Sequence, residues 1–220
     1  MKKSIVLLIS ILFIAALSLL ILRNLSDTDD YVSLQNAKFT KTQILYFINN
    51  SKNEVSTLLA KNLDRDILKE YTGFEYPLVF QDAKISIKLE EYDKYNINLI
   101  KEKDEKKYEN LKDFLQRNDI YDIYTLQNIL VEFENIKNSK QLDALLEKFE
   151  NESYNVDTKN IKDYIGFMDY DKKEFIQDDK DKSIEFYELF IKVSYLKEFA
   201  KAYYVLDKSG GVKYFEYSFK

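Results

Sequence analysis

The chain contains no cysteine and no histidine, one proline and only four glycines. Without cysteine there can be no disulfide, thiolate metal site, cysteine nucleophile or acylated lipoprotein cysteine. Without histidine, the usual general base near neutral pH and the commonest transition-metal ligand are also missing. A Ser–Lys or carboxylate mechanism is what remains open to an enzyme. No sequence pattern supports one, and the chain reads as a non-enzyme. So little glycine and proline excludes an irregular, loop-rich fold and predicts long helices and regular strands. An excess of positive charge is lacking too. With 33 Lys and Arg against 38 Asp and Glu, the net charge of −5 argues against a broad basic surface for nucleic acid, though not against one local patch.

Tyrosine (18) and phenylalanine (15) are abundant, as are Lys, Asn, Ile, Asp and Glu. A bias toward AT-rich codons explains this composition better than an aromatic binding surface does. The 220 residues have room for one membrane segment and one globular domain able to bury a core.

Residues 4–22, SIVLLISILFIAALSLLIL, carry no charge. At ~1.5 Å per residue they make a helix of roughly 28 Å, close to the ~30 Å hydrocarbon thickness. Their serines can return hydroxyls to helix carbonyls. Lys2 and Lys3 hold the amino end in the cytoplasm. Arg23 opposes them, but Asp27, Asp29 and Asp30 follow at once. Bulky Leu and Ile run up to the arginine, with no small-x-small cleavage site, so the segment reads as a retained anchor.

In residues 23–72 the apolar positions Leu34, Ala37, Ile44, Ile48, Val55, Leu58, Leu59 and Leu63 recur at helical spacing. No glycine or proline intervenes before Gly73, which supplies a stop signal. Two readings stay open. One is a single long helix, membrane-embedded and then packed on the domain, with SDTDD as a melted or bent joint. The other is an anchor, a short linker and a separate helix.

Residues 73–100 change period. Ile85, Ile87 and Leu89 alternate with Ser86 and Lys88 as in a half-buried strand. Pro77 puts the run before them at a sheet edge or a strand start. Residues 101–168 return to helix, a helical insert of small antiparallel helices with Thr125, Ser139 and Asp157 as N-caps. An acidic loop, 169–183, precedes a carboxyl-terminal meander, 184–220, whose DKSGG reads as a hairpin turn. The fold class is α+β, a long amino-terminal helix on an antiparallel sheet with a small helical insert.

Three stretches resemble the minor pseudopilin K family of type II secretion systems, within the type IV pilin-like superfamily. KKSIVLLISILFIAALSLLIL is similar to its leader and hydrophobic segment. The resemblance implies a prepilin peptidase cut between Ser4 and Ile5, with Ser4 standing where the family has glycine. Ile9 then becomes the fifth mature residue, apolar as in the K branch, where most pilin-like subunits carry glutamate. ISIKLEEYDKYNINLI resembles the family's strand and Asn-x-Asn motif through Glu90, Glu91, Lys94, Asn96, Asn98 and Leu99. IGFMDYDKKEF resembles its aromatic-x-Asp-x-Asp segment through Phe167, Asp169 and Asp171.

The resemblance implies a structural subunit of a secretion pseudopilus at its tip, acting in assembly initiation and supporting protein export across the outer membrane. A minor pilin of a type IV pilus or of a DNA-uptake machine uses the same parts. A generic signal-anchored periplasmic binding or scaffold protein is the competing class. Ile5, Ile9, Ser10 and Ser18 would serve assembly within the membrane. The partners expected are other minor pseudopilins or pilins and the inner-membrane assembly platform, with neither nucleic acid nor a small-molecule substrate. The location implied is the inner membrane, single-pass, with the carboxyl-terminal domain periplasmic.

Asn96 and Asn98 could touch a partner, but asparagines closing a strand more often bond backbone groups. Asp169, Asp171, Glu174, Asp178, Asp179 and Asp181 offer oxygen ligands of the kind calcium prefers, and the family is known for calcium. The interleaved Lys172, Lys173, Lys180 and Lys182 favour a solvated loop instead. Among the carboxyl-terminal aromatics, one face must be core. Some of Tyr214, Phe215, Tyr217 and Phe219 are left for a subunit interface.

Overall fold

The computed structural model describes residues 2–61, 65–101, 105–154, 157–169 and 185–219; side chains are described from Leu17 onward, apart from residues 65, 66, 105–107 and 160. The fold is α+β. The chain divides into two compact units, residues 1–90 with 187–220, and residues 91–186.

The first unit is built on a single helix, α1 (Lys2–Ala60). It runs through the SDTDD stretch without a break, so the chain is not melted there, and it ends at Ala60 before reaching Gly73. Leu63 lies outside the described residues. Thr28 helps the helix through SDTDD by returning its hydroxyl to the Asn24 carbonyl at 2.8 Å. A short α2 (Arg65–Lys69) follows. The strands β1 (Glu75–Phe80), β2 (Ala83–Glu91), β5 (Phe186–Tyr195), β6 (Glu198–Asp207) and β7 (Val212–Phe219) form one sheet in the order β1-β2-β5-β6-β7. β1 with β2 and β6 with β7 are antiparallel, with Leu78 opposite Ile85 and Tyr204 opposite Phe215. Pro77 lies within β1, an edge strand, where a missing N–H does least harm.

Period-two alternation divides the sheet into two faces. Leu189, Ile191 and Val193 on β5, and Ala200 and Ala202 on β6, point to the α1 side and are buried. The small alanines let the helix approach. From α1, Thr40, Ile44, Ile48, Ser51 and Leu59 form the stripe that meets this face. Each fully buried Ile or Leu there contributes about 2 kcal/mol of apolar burial. Phe47 flanks the stripe and sets its ring edge-on to Phe80 of β1 at 6.2 Å and to Tyr195 of β5 at 5.8 Å. On the other side Lys41 places its ammonium 5.8 Å from the ring of Phe219.

The DKSGG turn is a hairpin. Gly210 takes φ +82, and the Asp207 carboxylate accepts from Ser209 N, Ser209 Oγ and Gly211 N. Gly210 also lies against α1, where an added Cβ would come within 2.9 Å of Ser56 Cα and overlap the Ser56 carbonyl oxygen. The tighter turn between β5 and β6 holds Leu196 at φ +54, a conformation that suits glycine.

The second unit comprises β3 (Tyr95–Asn96), a 3-10 turn Ile97–Lys101, α3 (Glu105–Arg117), α4 (Ile123–Glu132), α5 (Ser139–Glu152), α6 (Lys159–Lys162) and β4 (Ile165–Gly166). β3 and β4 pair in parallel, a contact the sequence pattern does not announce. Leu111, Leu115, Leu126, Leu130, Leu145 and Phe149 are at the centre of its core. The N-caps differ from those expected. Asp122 and Asn138 cap α4 and α5, accepting from Thr125 N and Gln141 N, so the helices begin earlier than caps at Thr125 and Ser139 would allow. Thr158 begins α6 without a side-chain cap bond, while Asp157 accepts from Lys159 N.

Candidate interaction surface

On α1 two faces can be told apart by what they carry. The sheet-facing stripe is satisfied within the unit. Away from that stripe the helix exposes Leu17, Ile21, Leu25, Phe39 and Tyr46, and on its flank Val32, interspersed with uncharged Thr28, Gln35 and Thr42. The charged residues Arg23, Asp27, Asp30, Lys38, Lys41 and Lys52 lie off this line by helical geometry. The sheet adds a second exposed apolar strip. Phe215 and Tyr217 of β7 are exposed, and their rings stack at 6.4 Å, with Tyr204 6.1 Å from Phe215. At the other edge Tyr76, Leu78, Val79 and Phe80 of β1 are all exposed. The sheet side facing away from α1 mixes an aromatic row, Phe190, Tyr203 and Tyr214, with polar groups. There Glu75 accepts from Ser86 and, at 2.9 Å, from Lys192, and these bonds hold its carboxyl below the usual range. On the same side buried Glu188 accepts from Tyr203 Oη at 2.6 Å.

Where α1 passes the β5–β6 turn, a groove of about 570 Å³ is lined by Asp29, Val32, Asn36, Ala37, Leu196 and Glu198, among others. It mixes one carboxylate from each element with small apolar contacts.

The expected site residues separate into three groups. Ser4, Ile5, Ile9 and Ser10 lie on α1, but their side chains fall outside the described residues; Ser18 is exposed on α1. Asn96 and Asn98 spend their amides on backbone. Asn96 Oδ1 accepts from Asn98 N at 3.0 Å. Asn98 pairs with Ile136 in both directions, accepting from its N at 2.8 Å and donating to its O at 3.0 Å. Phe167 packs against the core of the second unit, and Asp169 is exposed. Asp171, Glu174 and Asp178, like Asp179 and Asp181, lie outside the described residues. Among the described residues no cluster of three carboxylates is placed to hold a metal ion. Of the remaining motif positions, Glu90 pairs with Lys88 at 2.5 Å, and Lys94 lies 6.0 Å from the Tyr92 ring.

The outward stripe on α1 was not among the residues singled out by sequence. The signal was present in the spacing of Leu25, Val32, Phe39 and Tyr46 at sevens, but the nearby run at threes and fours, which marks the sheet contact, dominates the pattern. Among the described residues no helix is long and apolar enough to cross a membrane. No known protein family, curated protein or solved structure matches this chain.

Proposed function

We propose that the chain is a minor pseudopilin-like structural subunit of a type II secretion or related pseudopilus, acting at the tip and in assembly initiation. The observation that supports this most is the continuity of α1. One unbroken helix, Lys2–Ala60, joins the uncharged segment 4–22 to the stripe that anchors the sheet. A stiff helix of this kind couples a membrane-held end to the head, so that moving one moves the other. An anchor followed by a flexible linker would not.

In this reading residues 5–22 hold the subunit in the inner membrane and pass into contact with neighbouring helices on assembly. Ile9 brings no carboxylate to seek the amino terminus of a subunit above, which suits a position with nothing above it. The head supplies bulk and binding surface, with no catalysis and no small-molecule substrate. The test is the intact mass and amino-terminal sequence of the membrane-extracted chain. A chain beginning at Ile5 supports the subunit reading. A chain that keeps Met1, and fails to co-purify with other pilin-like subunits, overturns it in favour of a signal-anchored scaffold.

A further inference from the structure

Leu25, Val32, Phe39 and Tyr46 follow one another at intervals of seven on α1, and 60%, 49%, 56% and 59% of their surface respectively is exposed. A repeat of seven along an α-helix drifts slowly around the axis, and a second helix that follows the drift keeps the whole seam covered. Between them, at the other seam position, are Thr28, Gln35, Thr42 and Asn49. Every charged residue between Leu17 and Ala60 lies off these positions. From Phe39 to Asn49 the seam runs on the side away from the sheet, whose contact uses Thr40, Ile44, Ile48, Ser51 and Leu59, while Val32 also borders the groove beside Leu196. A helix face that served only solvent would have no reason to exclude charge along its length while presenting Val, Leu, Phe and Tyr.

We infer that this seam is a helix-pairing site whose occupant is a second copy of this chain, parallel and in register. The seam is self-complementary in that arrangement. Leu25, Val32, Phe39 and Tyr46 each meet their own counterpart, and the amide of Gln35 meets the amide of Gln35. The flanking positions then set Asn24 beside Asp29, Lys38 beside Gln43 and Lys52 beside Thr57, with no like charges opposed. The antiparallel arrangement that sets Val32 against Thr42 brings Lys38 against Lys38 and is disfavoured. In register the amides of Gln35 and Asn49 each meet an amide, whereas a slip of one repeat sets Gln35 against a threonine. The pairing uses residues 24–57 only, so it stands apart from the membrane reading of residues 5–22, while its parallel sense puts both amino termini on one side.

The chain has no cysteine, so single introduced cysteines report the pairing directly. Full-length Val32→Cys, Phe39→Cys and, as an off-seam control, exposed Leu34→Cys would be oxidised in detergent micelles and resolved without reductant. All three positions are exposed, so the fold tolerates them, and circular dichroism checks it. The expected result is a disulfide-linked dimer that forms at least about tenfold faster in Val32→Cys and Phe39→Cys than in Leu34→Cys, since pairing raises the effective concentration only across the seam. Equal rates in all three variants, or none above random collision, overturn the proposal. Mixed Val32→Cys and Thr42→Cys chains that cross-link faster than Val32→Cys with itself overturn the parallel register. Sedimentation equilibrium gives a second reading, with a dimer for the natural chain and a monomer for Phe39→Glu. A monomeric natural chain overturns the proposal whatever its amino terminus proves to be.

Discussion

Gly73 and Gly210 both take φ +82, and they differ in one respect only that matters here. A Cβ added at Gly73 meets nothing within 4 Å, whereas at Gly210 it overlaps the Ser56 carbonyl of α1. The pair therefore separates backbone strain from helix–hairpin contact. Alanine in the left-handed region costs about 1–2 kcal/mol through its Cβ alone. That is the whole expected loss for Gly73→Ala. Gly210→Ala carries the same loss, and its turn must also retreat from a backbone atom that has no rotamer to escape into. Restoring ordinary carbon–oxygen separation, ~3.3 Å, requires a shift on the order of 1 Å. Such a shift opens the packing of the hairpin on α1 and adds about 2 kcal/mol, the range of a core defect. Urea unfolding of the full chain in micelles, followed by circular dichroism, should thus give a Gly210→Ala loss about twice that of Gly73→Ala. Hydrogen exchange should rise around Ser56 in the former only. Equal losses, with unchanged exchange at Ser56, would refute the contact between turn and helix.

Further outcomes can be checked alongside. The Ser209 hydroxyl first, then the Gly211 amide, the Lys213 ammonium and the Ser209 amide, hold the Asp207 carboxyl at about 2 against its ordinary 3.8. Its contribution is complete above pH ~4 and fades as pH falls toward 2. Because the side chain is partly exposed, screening leaves on the order of 1 kcal/mol, measurable as the difference in acid unfolding between the natural chain and Asp207→Asn. Asn98→Ala strands both backbone groups of Ile136 and should cost about 2–4 kcal/mol in the second unit, read by hydrogen exchange across α4 and α5. Ile48→Ala empties a fully buried position between α1 and the sheet and should cost about 2–5 kcal/mol by urea unfolding. Leu196→Gly relieves a left-handed leucine that is largely exposed, and a gain of about 1 kcal/mol in the same assay is expected.

The legibility of the chain followed the range of the interactions. The alternation of Ile85, Ile87 and Leu89, the DKSGG turn and the Ile44–Ile48 spacing are local, and each stands in the structure where pattern put it. SDTDD stays helical because acidic residues on a helix surface need only water, not a break, and Thr28 bonds back to the turn before it. The end of α1 at Ala60 could not be read, since no glycine or proline marks it and the last buried residue, Leu59, sits just before it. Caps were misplaced where two eligible residues compete, Asp122 with Thr125 and Asn138 with Ser139, and local backbone geometry decides. The β3–β4 pair joins residues far apart in sequence through two residues each, too short for any periodicity. The Asn-x-Asn motif was legible as polar side chains bonding backbone. Its partner Ile136, 38 positions along, was not.

The topology leaves such a chain free to change length. β2 and β5 are neighbours in the sheet, yet everything from Tyr92 to Glu185 is threaded between them. Strand partners are held ~4.8 Å apart, and Tyr92 N donates to Phe186 O at 3.0 Å, so the intervening stretch begins and ends at nearly one point. A stretch with adjoining ends can grow, shrink or be exchanged without lengthening any span the sheet must bridge, and the entropy of closing it rises only slowly with size. The helical stretch has its own apolar centre and needs none from its host. It has the character of a cassette, and replacing it by a two-residue turn should leave the five-stranded sheet and its helix standing.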